Sequence, residues 1–304
     1  MTGRWRLLLA GLLVVLVAAA AAQPAGAKGP KRQTEFYVAL GDSYAVGYQD
    51  SVKHTTRNGY VNQLVPLAAK RGYRFKLLQL GCGGATTESM LAQIDCPAGA
   101  RAPGAPAYPH QTQTQAAVAF ISKHRGHVGL VTVSIGGNNI DACIALPDPL
   151  TCVAKRMPAA IANLTTIVKR LRAAGGKRMM IIGSTYPDVA LGAWVRPDTF
   201  GAGRFDLATD SLTAFARYIN PGLKKAYGRA GAKFVDVTAA TGAYGPFVTR
   251  VAAPYGRIPV PVAEVCRLTF FCNLIGIHMT TAGCGIIARL EAALLPRLPA
   301  AKPR

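Results

Sequence analysis

The chain has 304 residues, half of them hydrophobic, and a formal net charge of +21. This length suffices for one large domain or two small ones, and the hydrophobic content excludes general disorder. The strongly basic composition favours anionic partners such as phospholipid headgroups or acidic polymers, and a solvated, solubilising surface is the more ordinary interpretation. Because the Lys and Arg residues are scattered and form neither an arm nor a recognition helix, we expect no nucleic-acid partner.

The N-terminus has the pattern of a secretory signal. Two arginines precede an apolar run over residues 7–22, and small residues follow it. We expect residues 1–27 to be a signal peptide and leader, cleaved after Ala22 or Ala27, and residues 28–304 to form a single secreted domain. The alternative is a retained membrane anchor, because the apolar run is nearly long enough to span a bilayer when tilted.

Short apolar runs alternate with helical patterns along the rest of the chain. The predicted strands cover residues 36–40, 75–80, 128–135, 177–184 and 233–237, and the predicted helices cover residues 60–71, 112–124, 153–174, 204–229 with a break at Pro221, and 280–295. Such alternation predicts a parallel sheet covered by helices on both faces. We therefore expect an α/β fold: a three-layer α/β/α sandwich with a flavodoxin-like five-stranded sheet in the order 2-1-3-4-5.

Small-residue turns follow the first three predicted strands. Gly41, Asp42 and Ser43 follow the first strand, a glycine-rich turn that includes Gly84 follows the second, and a turn with Asn138 follows the third. In the expected strand order these turns meet at one sheet edge, where such folds bind ligands. Ser43 is then a candidate nucleophile.

The donors around this serine are of the type that stabilises an oxyanion: the Ser43 and Gly84 backbone N–H groups and the Asn138 amide. Each feature also has a plainer interpretation. Gly-Asp-Ser is ordinary turn chemistry, Gly84 permits a tight turn, and Asn138 can cap a helix.

A serine hydroxyl needs a neighbouring base before it can act as a nucleophile. Of the five histidines, His278 lies in a loop directly before the last predicted helix, which would bring it back to the carboxyl edge of the sheet. His124 and His127 flank the amino end of the third strand, on the far side. His278 is therefore the candidate base.

The chain resembles the SGNH/GDSL hydrolase family, and in particular its secreted actinobacterial members. Residues 41–47 (GDSYAVG), 81–87 (GCGGATT), 136–139 (GGNN) and 275–278 (IGIH) resemble its four sequence blocks, in the family's order. The resemblance covers roughly residues 35–295. It implies Ser43 as nucleophile, His278 as base, and Gly84 and Asn138 as oxyanion donors beside the Ser43 amide.

Two positions depart from the family pattern. The family usually carries aspartate three residues before the histidine, where this chain has Ile275, and aspartate after the block's asparagine, where it has Asn139. Some members work as a Ser-His dyad with a backbone carbonyl holding the ring. We therefore expect either a dyad or an atypical triad, with the Ile275 carbonyl as the candidate that orients His278.

Six of the seven cysteines form three close pairs along the sequence. In an exported chain this spacing favours local disulfides as the simplest of the 15 connectivities. The pairs are Cys82 with Cys96, Cys143 with Cys152, and Cys266 with Cys272. Cys284 is left over in an apolar helical pattern, where a buried inert thiol is expected. We expect no metal site and no cofactor, because no zinc-type spacing appears.

These features predict a monomeric esterase or lipase that hydrolyses carboxylic acyl esters through an acyl-enzyme. Two irregular segments, 185–203 and 238–266, carry aromatic residues that could form an acyl groove or could equally pack their own loops: Trp194, Phe200, Tyr244, Phe247 and Tyr255. Three arginines near the second segment, Arg250, Arg257 and Arg267, suit a lipid or another anionic surface. The alternatives are a carbohydrate deacetylase and a non-catalytic cell-surface binding protein with a decayed site.

Overall fold

A parallel five-stranded sheet lies at the centre of residues 34–299, the part of the chain that the computed structural model describes. The strands are β1 (Glu35–Gly41), β2 (Tyr48–Gln49), β3 (His54–Thr55), β4 (Phe75–Gln79), β5 (Val128–Ser134), β6 (Met180–Ser184), β7 (Lys233–Val235), β8 (Thr249–Ala252) and β9 (Gly256–Pro259). The central sheet has the order β4-β1-β5-β6-β7 with every neighbouring pair parallel. This confirms the predicted flavodoxin-like order. The predicted signal peptide and both cleavage sites lie outside the described residues.

Helices cover both faces of this sheet. They are α1 (Ser43–Val46), α2 (Tyr60–Lys70), α3 (Ser89–Ala92), α4 (Gln113–Lys123), α5 (Pro149–Gly175), α6 (Pro197–Phe200), α7 (Arg204–Ala214), α8 (Asn220–Gly228), α9 (Val237–Ala240), α10 (Val260–Leu268), α11 (Phe271–Leu274) and α12 (Thr281–Leu294). Helices α2 and α12 share one core with the sheet, and α4, α5 and α8 share the other. The three-layer prediction is therefore confirmed.

Strand β1 is buried on both faces because it is the second strand of the sheet and lies between two helix layers. Tyr37 and Ala39 point into the α2 and α12 core, and Val38 and Leu40 point into the opposite core. Side chains of a strand alternate between faces, so a strand covered on both sides reads as an unbroken apolar run. That run identified β1 in the sequence.

Three predicted boundaries are corrected by the structure. Helix α5 begins at Pro149, four residues before the predicted start, because Asp148 caps it and proline is tolerated in the first turn. The helical stretch after Arg204 does not break at Pro221: a π-helical turn at Phe215–Ile219 joins α7 to α8, and Pro221 falls at the start of α8. The segment 238–266, predicted to be irregular, instead contains the β8–β9 hairpin and much of α10.

The three predicted cysteine pairs are disulfides in the structure: Cys82–Cys96, Cys143–Cys152 and Cys266–Cys272. Cys284 is a buried free thiol, and burial raises its pKa to about 12. None of the helices within residues 34–299 is long and apolar enough to cross a membrane.

Glu291 is an acidic side chain inside the core between the sheet and α12. It is 0% exposed, and neither carboxyl oxygen has a hydrogen-bond partner among the described residues. Burial raises its pKa well above the ordinary value of 4.5. The folded state therefore holds this proton more tightly than the unfolded state does. As a result, stability should fall as the pH rises above the unfolded pKa.

We predict that Glu291→Met stabilises the protein at neutral pH by about 1 to 3 kcal/mol, because methionine fills similar space without an unpaired buried polar group. Glu291→Gln should remove the part of the pH dependence that this carboxyl causes. Urea unfolding at pH 5 and pH 8 measures both effects, with Asp206→Asn as an exposed control. An equal free energy of unfolding for Glu291→Gln and the unmodified chain, at both pH values, would contradict the prediction.

Candidate active site

The turn that carries Ser43 is fixed by its contact with the neighbouring strand. Gly41 ends β1 with φ +134°, and a Cβ there would overlap the Ser134 carbonyl oxygen of β5. The buried Gln113 side chain binds both backbone polar groups of Gly41: its oxygen accepts from Gly41 N–H at 2.7 Å, and its nitrogen donates to Gly41 O at 3.0 Å. Only glycine can make this turn, which places Ser43 at the carboxyl edge of the sheet.

Asp42 holds the first turn of α1 from inside the protein. It is buried, and one carboxyl oxygen accepts from Tyr44 N–H at 3.0 Å while the other accepts from the Tyr186 hydroxyl at 2.5 Å. Burial is the main cause that raises the pKa of Asp42 to about 6, and these two hydrogen bonds oppose the rise. Asp42 is therefore a helix cap, and it has no hydrogen bond to His278.

A chain of two hydrogen bonds joins Ser43, His278 and Asp50. His278 Nε2 lies 2.8 Å from Ser43 Oγ, and His278 Nδ1 lies 2.9 Å from Asp50 Oδ1. Because an ionised carboxylate can only accept, Nδ1 carries the hydrogen and Nε2 of the neutral ring is left to accept from the serine hydroxyl. This is the arrangement in which a histidine can take a proton from a serine while a carboxylate stabilises the resulting imidazolium.

Asp50, and not the Ile275 carbonyl, is the partner of His278 Nδ1. The second oxygen of Asp50 accepts from the His278 backbone N–H at 3.1 Å, so one carboxylate fixes both the ring and the backbone of this residue. Gly276 leaves room for it, since a Cβ there would overlap the carboxylate. Ile275 instead ends α11 with φ +54°. The expected orienting role of its carbonyl is thus wrong, because the acid occupies that place.

The segment from Ser43 to Asp50 also forms hydrogen bonds with the residues on both sides of His278. Tyr44 donates its hydroxyl to the Ile277 carbonyl at 2.5 Å, and Gln49 donates to the Thr281 hydroxyl at 3.0 Å. The rings of Tyr44 and Tyr48 lie 5.7 and 4.7 Å from the His278 ring. One short stretch of chain therefore carries the serine and the acid and also positions the base.

The sequence analysis missed Asp50 because nothing in the family pattern points to it. Its signal is indirect: it lies seven residues after Ser43, in the turn that follows β2, and the chain changes direction before β2 at Gly47 (φ +73°). Gly276 is the second signal, since a glycine beside the base indicates a close approach by another group. Neither signal identifies the partner without the fold.

The predicted oxyanion donors have hydrogens that are not otherwise used. No hydrogen bond within residues 34–299 involves the backbone N–H of Ser43 or of Gly84, where φ is +78° and the backbone is exposed. Asn138 Nδ2 donates one hydrogen to the Ala85 carbonyl at 2.8 Å, which fixes the amide against the glycine turn and leaves its second hydrogen. The Cys82–Cys96 disulfide anchors the same turn.

Asn139, the second departure from the family pattern, links two turns of the site. Its oxygen accepts from Thr87 N–H at 3.1 Å, and its nitrogen donates to Glu88 at 2.6 Å. An aspartate could accept from Thr87 but would repel Glu88. Asparagine at this position is therefore matched to the glutamate that follows the glycine turn.

An apolar pocket opens beside Ser43 and Asn138. Its volume is about 130 Å³. One wall is the segment from the end of β5 to the first turns of α5, and the others are the Val189–Val195 3₁₀ segment and α7. The side chains that line the pocket include Ile140, Ile144, Leu150, Val153, Leu207 and Phe215. The Cys143–Cys152 disulfide ties the turn before α5 to the first residues of that helix within one of these walls. A pocket of this composition suits an alkyl chain.

None of the five aromatic residues suggested as an acyl groove lines this pocket. They mostly pack against one another or against neighbouring elements: Trp194 contacts Phe205 and Phe247 with ring centroids 4.5 and 5.9 Å apart, and Phe200 stacks on Phe271 at 5.9 Å. Of the two roles suggested, an acyl groove or the packing of their own loops, the structure favours the second. The pocket is formed mainly by aliphatic residues of the turn before α5 and of helices α5 and α7.

One carboxyl group lies in the pocket wall. Asp188 is 0% exposed and accepts from the Ser211 hydroxyl at 2.9 Å. Burial raises its pKa to about 7, against the lowering effect of that hydrogen bond. Near neutral pH this side chain is therefore uncharged in a large fraction of molecules, which keeps the wall compatible with an apolar ligand.

Comparison with known proteins identifies the family but no near relative. No protein among the curated sequences matches significantly. Similar solved structures include a catalytic mutant of Axe2, an acetylxylan esterase from Geobacillus stearothermophilus (15% identity, TM-score 0.49, 85% of this chain and 93% of that chain). They also include TesA (11%, 0.42, 86% and 98%) and the psychrotrophic esterase EstA from Pseudoalteromonas sp. (14%, 0.33, 68% and 81%).

The family model of GDSL-like lipases and acylhydrolases matches residues 39–285, which is most of the chain. The matched range includes the Ser43 turn, the glycine turn, Asn138, His278 and also Asp50, so the whole arrangement described above lies within it. The chain belongs to the GDSL-like lipase/acylhydrolase family.

Proposed function

We propose that the protein is an exported serine esterase that cleaves acyl esters through a Ser43–His278–Asp50 triad and prefers acyl chains longer than acetyl. The observation that carries the proposal is the continuous hydrogen-bond chain from Asp50 through His278 to Ser43, at the mouth of an apolar pocket. Export is supported by the three disulfides, since such bonds persist in oxidising compartments.

In the proposed reaction Ser43 Oγ attacks the ester carbonyl while His278 Nε2 takes its proton. Asp50 accepts the Nδ1 hydrogen and stabilises the imidazolium. The negative charge on the carbonyl oxygen is met by the N–H groups of Ser43 and Gly84 and by the free hydrogen of Asn138 Nδ2. His278 then gives its proton to the leaving alcohol, and water repeats the cycle on the acyl-enzyme.

The pocket supports an acyl chain of several carbons. It adjoins Ser43 and Asn138, so the chain of an ester bound at the serine could extend between the Val189–Val195 segment and α7. An acetyl group would leave most of this apolar surface uncovered. The carbohydrate-deacetylase alternative is therefore less favoured, and the unused donors together with the aligned triad argue against a decayed, non-catalytic site.

The first test is hydrolysis of p-nitrophenyl esters from acetate to palmitate. We expect Ser43→Ala and His278→Ala to lower kcat by about 10³-fold or more, because each removes a member of a unit that acts together. Exposed controls, Ser122→Ala and His110→Asn, should keep full activity. We expect a higher kcat/KM for medium chains than for acetate. Activity on acetate alone would support the deacetylase, and equal rates in Ser43→Ala and the unmodified chain would support the binding protein.

A second prediction concerns the acid. Asp50→Asn should lower kcat by about 10² to 10⁴-fold. If the amide nitrogen faces the His278 backbone N–H, two donors oppose each other. If it faces Nδ1, it stabilises the tautomer that carries its hydrogen on Nε2, which cannot accept the Ser43 proton. Gly276→Ala should have a similar effect while keeping the carboxylate, since its Cβ displaces Asp50. Circular dichroism checks folding, and Asp206→Asn is the matched control. Full activity in both variants would mean that the enzyme works as a dyad.

A third prediction concerns the pocket. Ala190 lines it and is buried, so Ala190→Leu should shorten the space for an acyl chain. We expect the ratio of kcat/KM for octanoate to that for acetate to fall by roughly tenfold or more. Acetate hydrolysis by the same variant serves as the internal control. An unchanged ratio would show that the acyl chain does not enter this pocket.

A further inference from the structure

The β8–β9 hairpin and the two residues that precede it expose apolar side chains close together in the sequence. Val251 is 73% exposed, Val248 60% and Phe247 40%. In the hairpin register Val251 lies opposite Arg257, so these two side chains share the outer face. Ala252 and Ile258 face inward and pack against α10. We call Phe247, Val248, Val251 and Arg257 the hairpin patch.

The hairpin patch is continuous with the walls of the pocket. Phe247 contacts Trp194, and Trp194 contacts Phe205, which is itself 39% exposed. Trp194 belongs to the Val189–Val195 segment and Phe205 to α7, and both elements also line the pocket. The exposed apolar surface therefore runs from the hairpin to the elements that would hold an acyl chain.

Arginines lie at several places on this surface, beside the aspartates of the neighbouring helices, Asp198, Asp206 and Asp210. The Arg204 guanidinium lies over the Phe205 ring at 4.0 Å, and Arg257 stands beside Val251. Arg250 and Arg267 share the single carboxylate of Glu264, at 2.7 and 2.5 Å. Residues 238–272 contain three arginines and one glutamate, a local balance of 3 − 1 = +2, within a chain of formal net charge +21.

We propose that the hairpin patch docks the protein on an anionic lipid bilayer. The apolar side chains would enter the boundary between headgroups and acyl chains, and Arg257 and Arg204 would contact phosphate groups. A polyanionic polymer would need the arginines but not the exposed Val248 and Val251. A second copy of the same surface would bring arginines against arginines. The combination of apolar and basic groups is therefore matched best by lipid.

Vesicle sedimentation tests the proposal without any hydrolysis. The oxidised chain from Lys28 onward, carrying Ser43→Ala, is mixed with vesicles of phosphatidylcholine or of phosphatidylcholine with one third phosphatidylglycerol. This chain keeps every described residue and omits the apolar run 7–22, which could bind lipid by itself. We expect binding to the anionic vesicles, weakened by salt and much weaker on the neutral ones.

Variants separate the two contributions. Val248→Asp with Val251→Asp should weaken binding by about tenfold or more, and Arg257→Gln by about fivefold. Val248→Thr with Val251→Thr, which keeps the β-branched shape, should weaken binding in the same direction and guards against a misfolded hairpin. Ile94→Asp and Arg229→Gln are the matched controls: an exposed apolar residue and an exposed arginine outside the hairpin patch.

The proposal is overturned if the chain does not bind anionic vesicles at low salt, or if the controls weaken binding as much as the patch variants do. Loss in Arg257→Gln without loss in the valine variants would show a purely electrostatic contact with headgroups and would overturn the insertion of the apolar side chains. A dimer that the valine variants dissociate, without lipid, would assign the surface to self-association. The same valine changes in the Ser43 chain should leave p-nitrophenyl butyrate hydrolysis unchanged, so a failed docking result is distinct from a failed esterase.

Discussion

The carboxylate of Asp50 makes the contact on which the rest of the candidate site depends. One oxygen faces the imidazole of His278 and the other faces the backbone N–H of the same residue. A carbonyl could do only the first. Because Asp50 forms hydrogen bonds with both the ring and the backbone of His278, the loop from Ile275 to His278 needs no regular secondary structure to hold its position. Asp50 can make both contacts only because Gly276 has no side chain in the space that the carboxylate occupies.

The origin of this carboxylate changes the architecture of the site. In the pattern that the sequence resembles, acid and base come from one loop near the C-terminus. Here the acid follows β2, seven residues after Ser43, and the histidine loop docks onto that same segment through Tyr44, Gln49 and Asp50. The candidate nucleophile and the acid therefore lie on one short segment that follows β1. A movement of the C-terminal loop would separate the base from both of its partners together.

The sequence predicted those parts whose signals are local. Strand β1 reads as an apolar run because both faces are covered, and the turns after β1, β4 and β5 are marked by glycines with positive φ, of which Gly41 is also required by its close contact with the Ser134 carbonyl. Asp50 could not be found in this way, because its role depends on where two segments 228 residues apart meet. The pocket was missed for a similar reason: its walls come from segments that are distant in the sequence, and only tertiary packing leaves space between them.

Each disulfide lies beside a different part of the candidate site: Cys82–Cys96 at the glycine turn, Cys143–Cys152 at the pocket wall, and Cys266–Cys272 in the helices that lead to His278. None joins two strands of the central sheet, although Cys82, Cys96 and Cys143 are buried in one of its two cores. Reduction should therefore loosen the turns and helices around the site while the hydrogen bonds between the strands remain. A chain with its disulfides reduced would then keep its sheet, while the glycine turn, the pocket wall and the helices before His278 would each lose a cross-link that oxidation restores.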